Sequence, residues 1–276
     1  MGEDPRHSTA ASLADARLPP FYRCIHLAQT GSTNDEAKRL AGEGAAEGTL
    51  IWADSQTMGR GRRGRLWQSP AGNLYVSIIL RPDAAIGRVG QLGFAASLAI
   101  AEIASALLSS SRVIQCKWPN DVLIDGRKTA GLLLEMDSQG DGKAAWLVLG
   151  IGINVENHPD DTEFPATSLA AAGGKVEVAE VLSLFAQRFH GWYEMWRRDG
   201  FAPLRAAWLR RAAGLGGPIT VRLENTTIDG VFSGLDEDGA LLLHSAGLGA
   251  ETPARRITAG DVFFPTVATA IRTQAG

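Results

Sequence analysis

The sequence has few of the residues that stabilise small secreted proteins or bind structural metals. Its 276 residues include only two cysteines, Cys24 and Cys116, and no cysteine or histidine cluster has the spacing of a metal site. We therefore expect a reduced, cytoplasmic protein without a disulfide framework. The N-terminal residues Met1–Asp4 include two acids, and no apolar run follows them, so no signal peptide is predicted.

Long apolar runs and an excess of positive charge are also missing. The longest apolar run, Leu92–Leu108, contains Glu102, so it predicts a buried helix and no membrane span. The net charge of -3 argues against a general nucleic-acid binder. The length suits one large domain with a second, smaller one.

Three common nucleotide-binding signatures are incomplete or absent. Neither Gly-Lys pair, at residues 142 and 174, is followed by Ser or Thr, which excludes a Walker A loop. Gly59-x-Gly61-x-x-Gly64 has the spacing of a dinucleotide fingerprint, but a predicted strand follows it where that fingerprint requires a helix. The His-Arg-Asp and Asp-Phe-Gly motifs of protein kinases do not occur.

The most unusual segment is a basic loop at residues 59–66, which we call the arginine loop. It places four arginines within six positions, among three glycines. Each close pair of like charges costs on the order of 1 kcal/mol in water, and glycine adds backbone entropy that ordering must remove. A bound anion would offset both costs, because guanidinium and backbone N–H groups donate to its oxygens. A solvated loop that contacts nucleic acid is the alternative interpretation.

The periodicity of the first 213 residues predicts both strands and helices. Strands are expected at residues 21–28, 49–53, 73–80, 113–117, 122–124, 128–136 and 145–155, and helices at 33–41, 89–108, 178–198 and 201–213. Thr33 followed by Glu36 predicts a capping box at the start of the first helix. We therefore expect an α+β fold with a mixed, mostly antiparallel sheet and helices on one face.

The C-terminal part of the chain has a different rhythm. After a glycine-rich linker, short strands are predicted at 219–223, 227–235, 240–244 and 256–264, which indicates a small β-barrel. The predicted domains are a flexible tail at 1–20, a ligand-binding domain at 21–213 and the barrel domain at 214–270.

The segment Lys117-Trp118-Pro119-Asn120-Asp121 combines a cation, an indole, a rigid bend and two polar groups at the end of a predicted strand. Pro119 fixes its own φ and favours extended geometry at Trp118. These side chains suit a ligand site. A plain turn that carries polar residues is an equally good interpretation of this segment taken alone.

Glycines in two predicted strands leave room above the sheet. Gly131 follows Lys128, and Gly150 and Gly152 precede Asn154. A flat ligand could lie on these strands, with Lys128 at its charged end and Asn154 as a hydrogen-bond partner. A bulge or close packing under a helix is the alternative.

Five motifs occur together, and their combination resembles the biotin protein ligase family, which biotinylates acetyl-CoA carboxylase. They are Ser32-Thr33-Asn34, Gln56–Trp67, Lys117–Asp121, Lys128-x-Ala130-Gly131 and Gly150–Asn154. The resemblance extends from about residue 25 to about residue 265, and it implies that the C-terminal barrel is SH3-like. Members of this family often carry an N-terminal winged helix-turn-helix that represses biotin genes. This chain lacks it, so a ligase without a DNA partner is implied.

The resemblance also implies roles for individual residues. Those similar to the family's biotin-binding set are Ser32, Thr33, Asn34, Gln56, Arg60, Gly61, Arg62, Lys128 and Gly131. Those similar to its ATP-binding set are Arg62, Arg65, Trp67, Lys117, Asn120 and Asn154, with Trp67 near the adenine. Arg62, Lys117 and Lys128 are implied to be catalytic because they supply fixed positive charge, and Asp121 is implied to assist Mg²⁺.

The implied enzyme is a biotin–[biotin carboxyl-carrier protein] ligase that uses biotin, ATP and Mg²⁺ and forms biotinyl-5′-AMP. Its implied partner is the biotin carboxyl carrier domain of acetyl-CoA carboxylase, with no membrane partner, and a monomer or homodimer is expected. A lipoate–protein ligase or acyltransferase of the same architecture is one alternative. A non-catalytic nucleic-acid-binding module is the other.

Overall fold

The computed structural model describes residues 17–138, 140, 142–245 and 253–265. Of the tail predicted at residues 1–20, residues 1–16 lie outside the described residues. Of the predicted barrel domain at 214–270, residues 246–252 and 266–270 lie outside them as well.

Seven strands form a central sheet in the order β1-β2-β3-β7-β6-β5-β4. They are β1 (Arg23–Thr30), β2 (Thr49–Gln56), β3 (Leu74–Leu80), β4 (Ile114–Lys117), β5 (Asp121–Ile124), β6 (Arg127–Ser138) and β7 (Ala144–Ile153). β1 runs parallel to β2, and every other neighbouring pair is antiparallel. The predicted mixed, mostly antiparallel sheet is therefore confirmed.

Helices cover this sheet because its apolar side chains alternate between its two faces. The helices are α1 (Thr33–Gly42), α2 (Ile86–Val89), α3 (Leu92–Leu107), α4 (Val178–Asp199) and α5 (Phe201–Leu209). Residues of α3, α4 and α5 share one core with Leu50, Val76 and Leu149 of the sheet. α1 packs on the opposite face, against Ile51 and Val148, so the expectation of helices on one face holds only for α3–α5.

The long apolar segment is a buried core helix. Residues 86–107 have the length and composition of a membrane span, but 78% of the apolar window is buried inside the protein. This confirms the helix predicted at residues 89–108, which is observed as α3 (Leu92–Leu107), and the short helix α2 precedes it.

Two local predictions are wrong. The last helix of the first domain ends at Leu209 and not at residue 213, because Arg211 and Ala213 form backbone hydrogen bonds with Cys116 at the free edge of β4. The predicted capping box at α1 is not formed: the N-cap is Ser32, and no side chain caps the helix. The hydroxyl of Thr33 lies 3.1 Å from Gln56 Oε1 instead.

A second, five-stranded antiparallel sheet follows. Its strands are β8 (Pro218–Arg222), β9 (Thr227–Leu235), β10 (Leu241–Ser245), β11 (Arg255–Ile257) and β12 (Asp261–Phe263), and they pair in the order β11-β10-β9-β8-β12. The Asp238-Gly239 turn between β9 and β10 reaches the central sheet, where Trp118 Nε1 donates to the carbonyl oxygen of Gly239 at 3.1 Å. This turn fixes the position of the second sheet beside the site residues.

Replacing Gly239 by alanine should destabilise the protein more than the same change at Gly126. Both glycines have positive φ, of 94° and 75°, so each substitution should cost about 1 kcal/mol of strain. A Cβ at Gly239 would also lie 2.8 Å from Phe94 Cε2, whereas nothing lies within 4 Å of a Cβ at Gly126. This overpacking should add about 1–3 kcal/mol. Urea unfolding measures both free energies, and equal losses would contradict the packing argument.

Candidate active site

The residues singled out from the sequence meet in one cavity of about 370 Å³, a volume typical of small-molecule sites. The cavity lies over the central sheet, and the arginine loop, the loop after β7 and β12 all contribute to its walls. Its lining includes Ser32, Thr33, Asn34, Gln56, Arg60, Gly61, Arg62, Arg65, Trp67, Lys117, Asn120, Asp121, Lys128, Gly131 and Asn154. The tertiary structure thus brings all of these residues to one place, and their individual roles stay predictions.

The arginine loop has a defined backbone. Gly61 N donates to Arg65 O at 2.7 Å, and Trp67 N donates to Gly59 O at 2.9 Å. A short 3-10 turn reverses the chain between these bonds, with Arg63 in the left-handed region at φ 56°. The loop is therefore a tight, hairpin-like reversal that projects its guanidinium groups in different directions.

Carboxylates from distant elements balance three of the four guanidinium groups. Arg60 pairs with Asp35 of α1. Arg63 and Arg65 both donate to Asp261 Oδ2 of β12, at 3.2 and 2.5 Å. The Asp261 side chain is only 8% exposed, so the second sheet supplies a nearly buried counter-charge to the loop.

The electrostatics keep this carboxylate ionised. Burial would raise the pKa of Asp261, but the hydrogen bond from Arg65 and the charges of Arg65, Arg63 and Arg62 hold the pKa below its ordinary value. Its contact with the loop therefore persists at every pH above the acid range, and it is lost only as the pH falls through this lowered pKa.

Arg62 differs from the other three arginines. Its Nη1 lies 3.3 Å from Asn120 Oδ1 and 3.3 Å from the carbonyl oxygen of Gly260, so its partners are neutral. Burial lowers the pKa of Arg62, and the more distant charges of Asp261 and Asp121 oppose that effect. A half-buried guanidinium with neutral partners is suited to bind an anionic group in the cavity.

Uncharged polar side chains lie at the opposite end of the cavity: Thr33, Asn34 and Gln56 line it, and Ser69 and Ser77 contact them. We call these five residues the polar shelf. Gln56 Oε1 accepts from Thr33 N at 2.8 Å, and Gln56 Nε2 donates to Ser69 Oγ at 3.0 Å. Ser77 Oγ lies 2.8 Å from Thr33 Oγ1 and 2.6 Å from Asn34 Oδ1. The shelf is a connected network that holds fixed donors and acceptors at the cavity wall.

The strand glycines are needed for close contacts. A Cβ at Gly150 would lie 2.0 Å from Asn34 Oδ1, so this glycine seats a residue of α1, which supports the packing interpretation there. Cβ atoms at Gly152 and Gly131 would lie 2.6 and 3.0 Å from the indole of Trp67. The flat group that lies on these strands is therefore Trp67, whose Nε1 is buried and has no hydrogen-bond partner among the described residues.

Two lysines form the cationic end of the cavity. Lys128 Nζ lies 2.6 Å from Asp121 Oδ1. Lys117 is buried, and its Nζ lies 3.7 Å from the centre of the Phe164 ring. Burial lowers the pKa of Lys117 to about 8, although the charge of Asp121 opposes this shift. A cation that is desolvated and held mainly by an aromatic ring gains much from an incoming anion.

Asn154 and Asn120 have partly structural contacts. Asn154 Nδ2 donates to Thr167 O at 3.0 Å, and Asn154 O accepts from Leu169 N at 2.9 Å, which ties the loop after β7 to the sheet. Asn120 Nδ2 donates to the carbonyl oxygen of Leu132. The predicted contacts of both residues with a nucleotide stay predictions.

The donor set does not form a metal cage. Among the described residues, no group of three or more His, Cys, Asp or Glu side chains is arranged to hold a metal ion. Asp121, predicted to assist Mg²⁺, is engaged by Lys128. Its role with a metal stays a prediction.

Sequence reasoning missed four side chains that shape the site: Asp261, Phe164, Ser77 and Glu135. Asp261 and Phe164 line the cavity. Ser77 belongs to the polar shelf without lining the cavity, and Glu135 contacts the shelf through Asn34. Each is a single residue of a common type in a strand or loop, without a motif around it. The periodicity of β3 and β6 indicated which strand positions share a face of the sheet. It did not indicate which side chains of other elements contact those positions.

Comparisons with known proteins agree on one family. Residues 27–154 match the Biotin/lipoate A/B protein ligase family, and residues 214–264 match the Biotin protein ligase C terminal domain. A biotin–[acetyl-CoA-carboxylase] ligase of Paracoccus denitrificans is 40% identical over 246 residues, which cover 86% of this chain and 99% of that protein. The Mycobacterium tuberculosis protein with the same name is 32% identical and covers 86% of both chains.

Comparison of the structure with solved structures leads to the same family. The structure of the Aquifex aeolicus biotin protein ligase in complex with biotin and ATP matches with a TM-score of 0.71 at 30% identity, covering 88% of this chain and 98% of that one.

Replacing Asp261 by asparagine should make the arginine loop more accessible to protease. The change removes the charge that Arg63 and Arg65 share, so the two guanidinium groups repel each other and the loop opens more often. Tryptic cleavage after these arginines, followed by mass spectrometry, should become several times faster.

The matched control is Asp236→Asn, which removes another arginine-paired carboxylate of the second sheet, one bound to Arg256. It should leave cleavage of the arginine loop unchanged. Equal cleavage rates in the wild type and in Asp261→Asn would show that Asp261 does not hold the loop.

Proposed function

Because this chain belongs to the biotin/lipoate A/B protein ligase family, we propose that it activates biotin with ATP and transfers the biotinyl group to a lysine of a biotin carboxyl carrier domain of acetyl-CoA carboxylase. The observation that carries this proposal is the two-ended cavity. One end presents an uncharged hydrogen-bonding shelf, and the other presents Arg62, Lys117 and Lys128. A substrate with a polar neutral ring and a carboxylate, joined to a nucleotide phosphate, matches both ends.

The first half-reaction joins two anions. A carboxylate oxygen of biotin attacks the α-phosphorus of ATP, and the bond from that phosphorus to the bridging oxygen breaks, so pyrophosphate leaves and biotinyl-5′-AMP forms. Fixed positive charge must offset the repulsion as the two anions approach. In this proposal Arg62 and Lys128 supply that charge at the reacting carboxylate and phosphate, and Lys117 supplies it at the leaving phosphates. Each charge-assisted hydrogen bond contributes about 1.5–3 kcal/mol.

The second half-reaction needs no nucleophilic side chain from the enzyme. The neutral amine of the carrier lysine attacks the carbonyl carbon of the mixed anhydride, AMP leaves with the electrons of the broken C–O bond, and the amine loses a proton to solvent. The enzyme's part is to hold the adenylate and to keep water from the anhydride. The arginine loop, which forms part of the cavity wall, is the segment suited to that task.

The proposed binding residues divide into a set for each substrate. We propose that the biotin side is formed by Ser32, Thr33, Asn34, Gln56, Arg60, Gly61, Arg62, Lys128 and Gly131. We propose that the nucleotide side is formed by Arg62, Arg65, Trp67, Lys117, Asn120 and Asn154. Mg²⁺ would arrive with the ATP phosphates as part of the substrate, and we propose that Asp121, which lines the cavity, assists it.

The polar shelf also favours biotin over lipoate. The dithiolane ring of lipoate has no N–H or C=O group, so it would form no such hydrogen bonds with Thr33, Asn34 and Gln56, the shelf residues that line the cavity. A ureido ring offers two donors and one acceptor to the same shelf.

The cellular setting follows from the same proposal. We place the enzyme in the cytoplasm, as a monomer or homodimer, with residues 21–213 as the catalytic domain and 214–270 as the C-terminal domain. The pairing of Asp261 with Arg63 and Arg65 supports a direct role for the C-terminal domain in holding the arginine loop.

Pyrophosphate exchange into ATP tests the proposal directly. Exchange should depend on biotin and should be absent with lipoate. Lys128→Ala should lower the rate by at least about tenfold, because one charge-assisted hydrogen bond to the reacting groups is lost. Lys175→Ala, which changes an exposed lysine, is the control and should retain the rate. Exchange that requires lipoate, or salt-dependent nucleic-acid binding without any exchange, would replace this function with one of the alternatives.

The lowered pKa of Lys117 predicts a pH dependence for ATP binding. The lysine is protonated below about pH 8 and loses its charge above it, so kcat/KM for ATP should be constant at neutral pH and should fall above pH 8. ATP binding should also raise the pKa of Lys117, and the enzyme should take up a fraction of a proton near pH 8.5. Calorimetry in buffers of different ionisation enthalpy measures this uptake.

Lys117→Arg is the companion variant, since a guanidinium group stays charged throughout this range. It should abolish both the alkaline fall and the proton uptake. A wild-type profile that is flat to pH 9.5, with no proton uptake, would show that Lys117 does not face the phosphates.

A further inference from the structure

Lys117 is a buried cation of the cavity that has no carboxylate partner. Within the described part of the chain its Nζ forms no hydrogen bond or salt bridge, and it lies 3.7 Å from the centre of the Phe164 ring. Asp121 faces Lys117 across the β4–β5 pair, but its Oδ1 lies 2.6 Å from Lys128 Nζ instead. The contact that holds the Lys117 ammonium group is therefore the aromatic ring.

Phe164 belongs to residues 163–167, which lie between β6 and the second sheet; we call them the bridging segment. On the side of β6, the carbonyl oxygen of Pro165 accepts from Lys128 N at 2.7 Å. On the side of the second sheet, the Phe164 ring packs against Phe263 of β12, with 5.0 Å between the ring centres. The position of the Phe164 ring therefore depends on both sheets.

A salt bridge joins the bridging segment to the second sheet. Arg222 of β8 donates from Nη1 to Glu163 Oε1 at 2.7 Å and from Nη2 to Glu163 Oε2 at 3.0 Å. Two parallel bonds fix the orientation of both groups, which a single contact between exposed side chains does not. Arg222 Cζ also lies 4.6 Å from the centre of the Phe263 ring, against which Phe164 packs. Arg222 therefore fixes the residue that precedes Phe164.

We propose that Arg222 is a positioning residue, which holds the bridging segment in place through Glu163. The segment in turn keeps Phe164 against Lys117 and directs the ammonium group of that lysine at the phosphates of ATP. This inference rests on the proposed function, in which Lys117 meets the leaving phosphates. Without the ring, the flexible side chain of Lys117 is free to turn to Asp121, its neighbour across β4 and β5, and a lysine paired in this way binds phosphate less well.

Arg222→Gln should weaken ATP binding and leave biotin binding unchanged. In pyrophosphate exchange, KM for ATP should rise about tenfold, the effect of about one charge-assisted hydrogen bond. KM for biotin should stay within about twofold, because the polar shelf lies at the other end of the cavity. The matched control is Arg256→Gln, which changes another exposed arginine of the second sheet, one that pairs with Asp236 and Asp238. It should keep both KM values.

Glu163→Gln separates the salt bridge from the neighbouring charges. Arg222 Nη2 also lies 3.6 Å from Asp261 Oδ2, so Arg222→Gln changes the surroundings of the arginine loop as well, whereas Glu163→Gln leaves Arg222 and Asp261 in place. Glu163 lines the cavity, and loss of its negative charge would by itself favour ATP. A rise of KM for ATP in Glu163→Gln, similar to that in Arg222→Gln, is therefore the expected sign of lost support. A lower or unchanged KM would overturn the inference.

A double-mutant cycle with Phe164→Leu tests whether Arg222 acts through the aromatic ring. Phe164→Leu keeps an apolar side chain but removes the aromatic face beside Lys117, and it should also raise KM for ATP about tenfold. The double variant should be no weaker than the weaker single variant, because the same contact is already lost. Effects that multiply, to about a hundredfold, would show that Arg222 acts independently of the ring.

Limited proteolysis provides a measurement that does not depend on activity. A protease that cleaves after glutamate should cut the bond between Glu163 and Phe164 several times faster in Arg222→Gln than in the wild type, because one end of the bridging segment is released. Arg256→Gln should be cut at the wild-type rate. Equal rates in the wild type and in Arg222→Gln would show that Arg222 does not hold the segment.

The outcomes distinguish this inference from the proposed function. A wild type without biotin-dependent exchange overturns the proposed function, and the role assigned to Lys117 with it. A wild type that uses biotin, with an unchanged KM for ATP in Arg222→Gln and in Glu163→Gln, overturns the inference alone. If Arg222→Gln is poorly folded, Glu163→Gln carries the test, since it changes only an exposed loop residue.

Discussion

The ion pairing between the arginine loop and carboxylates from other parts of the fold is the interaction on which the site depends. Four guanidinium groups within six residues cannot lie together without counter-charge. Asp35 of α1 and Asp261 of β12 supply it for three of them. The loop is therefore held by two elements that belong to opposite ends of the chain, and the second sheet forms a wall of the site rather than an appendage.

This pairing leaves one arginine for the ligand. Arg62 has only neutral partners and points into the cavity that Lys117 and Lys128 also line. Lys117 is desolvated, and its pKa is lowered accordingly. Arg62 and Lys117 are removed from water without a carboxylate partner, which is energetically unfavourable. The binding of a carboxylate and a triphosphate would offset that cost. The expectation of an anion-binding loop thus needs a refinement: the protein's own carboxylates already balance the outer arginines.

The neutral end of the cavity follows a different rule, since it depends on the direction of hydrogen bonds rather than on charge. Gly150 permits Asn34 of α1 to approach the sheet, because a Cβ there would overlap its amide. Thr33 N of α1 donates to Gln56 Oε1 of β2 at 2.8 Å, which joins the helix to the sheet. The resulting network is nearly fully satisfied, which costs little to bury and gives each group a defined role as donor or acceptor.

Predictions from the sequence were most accurate where the evidence was local. The strands, the buried helix and the glycine-rich loop at residues 59–66 all follow from periodicity and residue type within short windows. The capping box at Thr33 failed because a tertiary partner, Gln56, lies beside its hydroxyl. The last helix was predicted to end at residue 213, but it ends at Leu209 because the following residues pair with Cys116 at the edge of β4. In both cases a long-range hydrogen bond replaced the local one.

The amino-acid sequence by itself determined the fold class, the family and the motif residues that meet in the cavity, because motifs of this kind concentrate the required chemistry in contiguous segments. Only the tertiary structure decided which charge balances which. Asp261 and Glu135 carry no local signal, and each acts through partners that are distant in sequence. Proximity across elements is a property of chain packing, and no short window of residues can encode it.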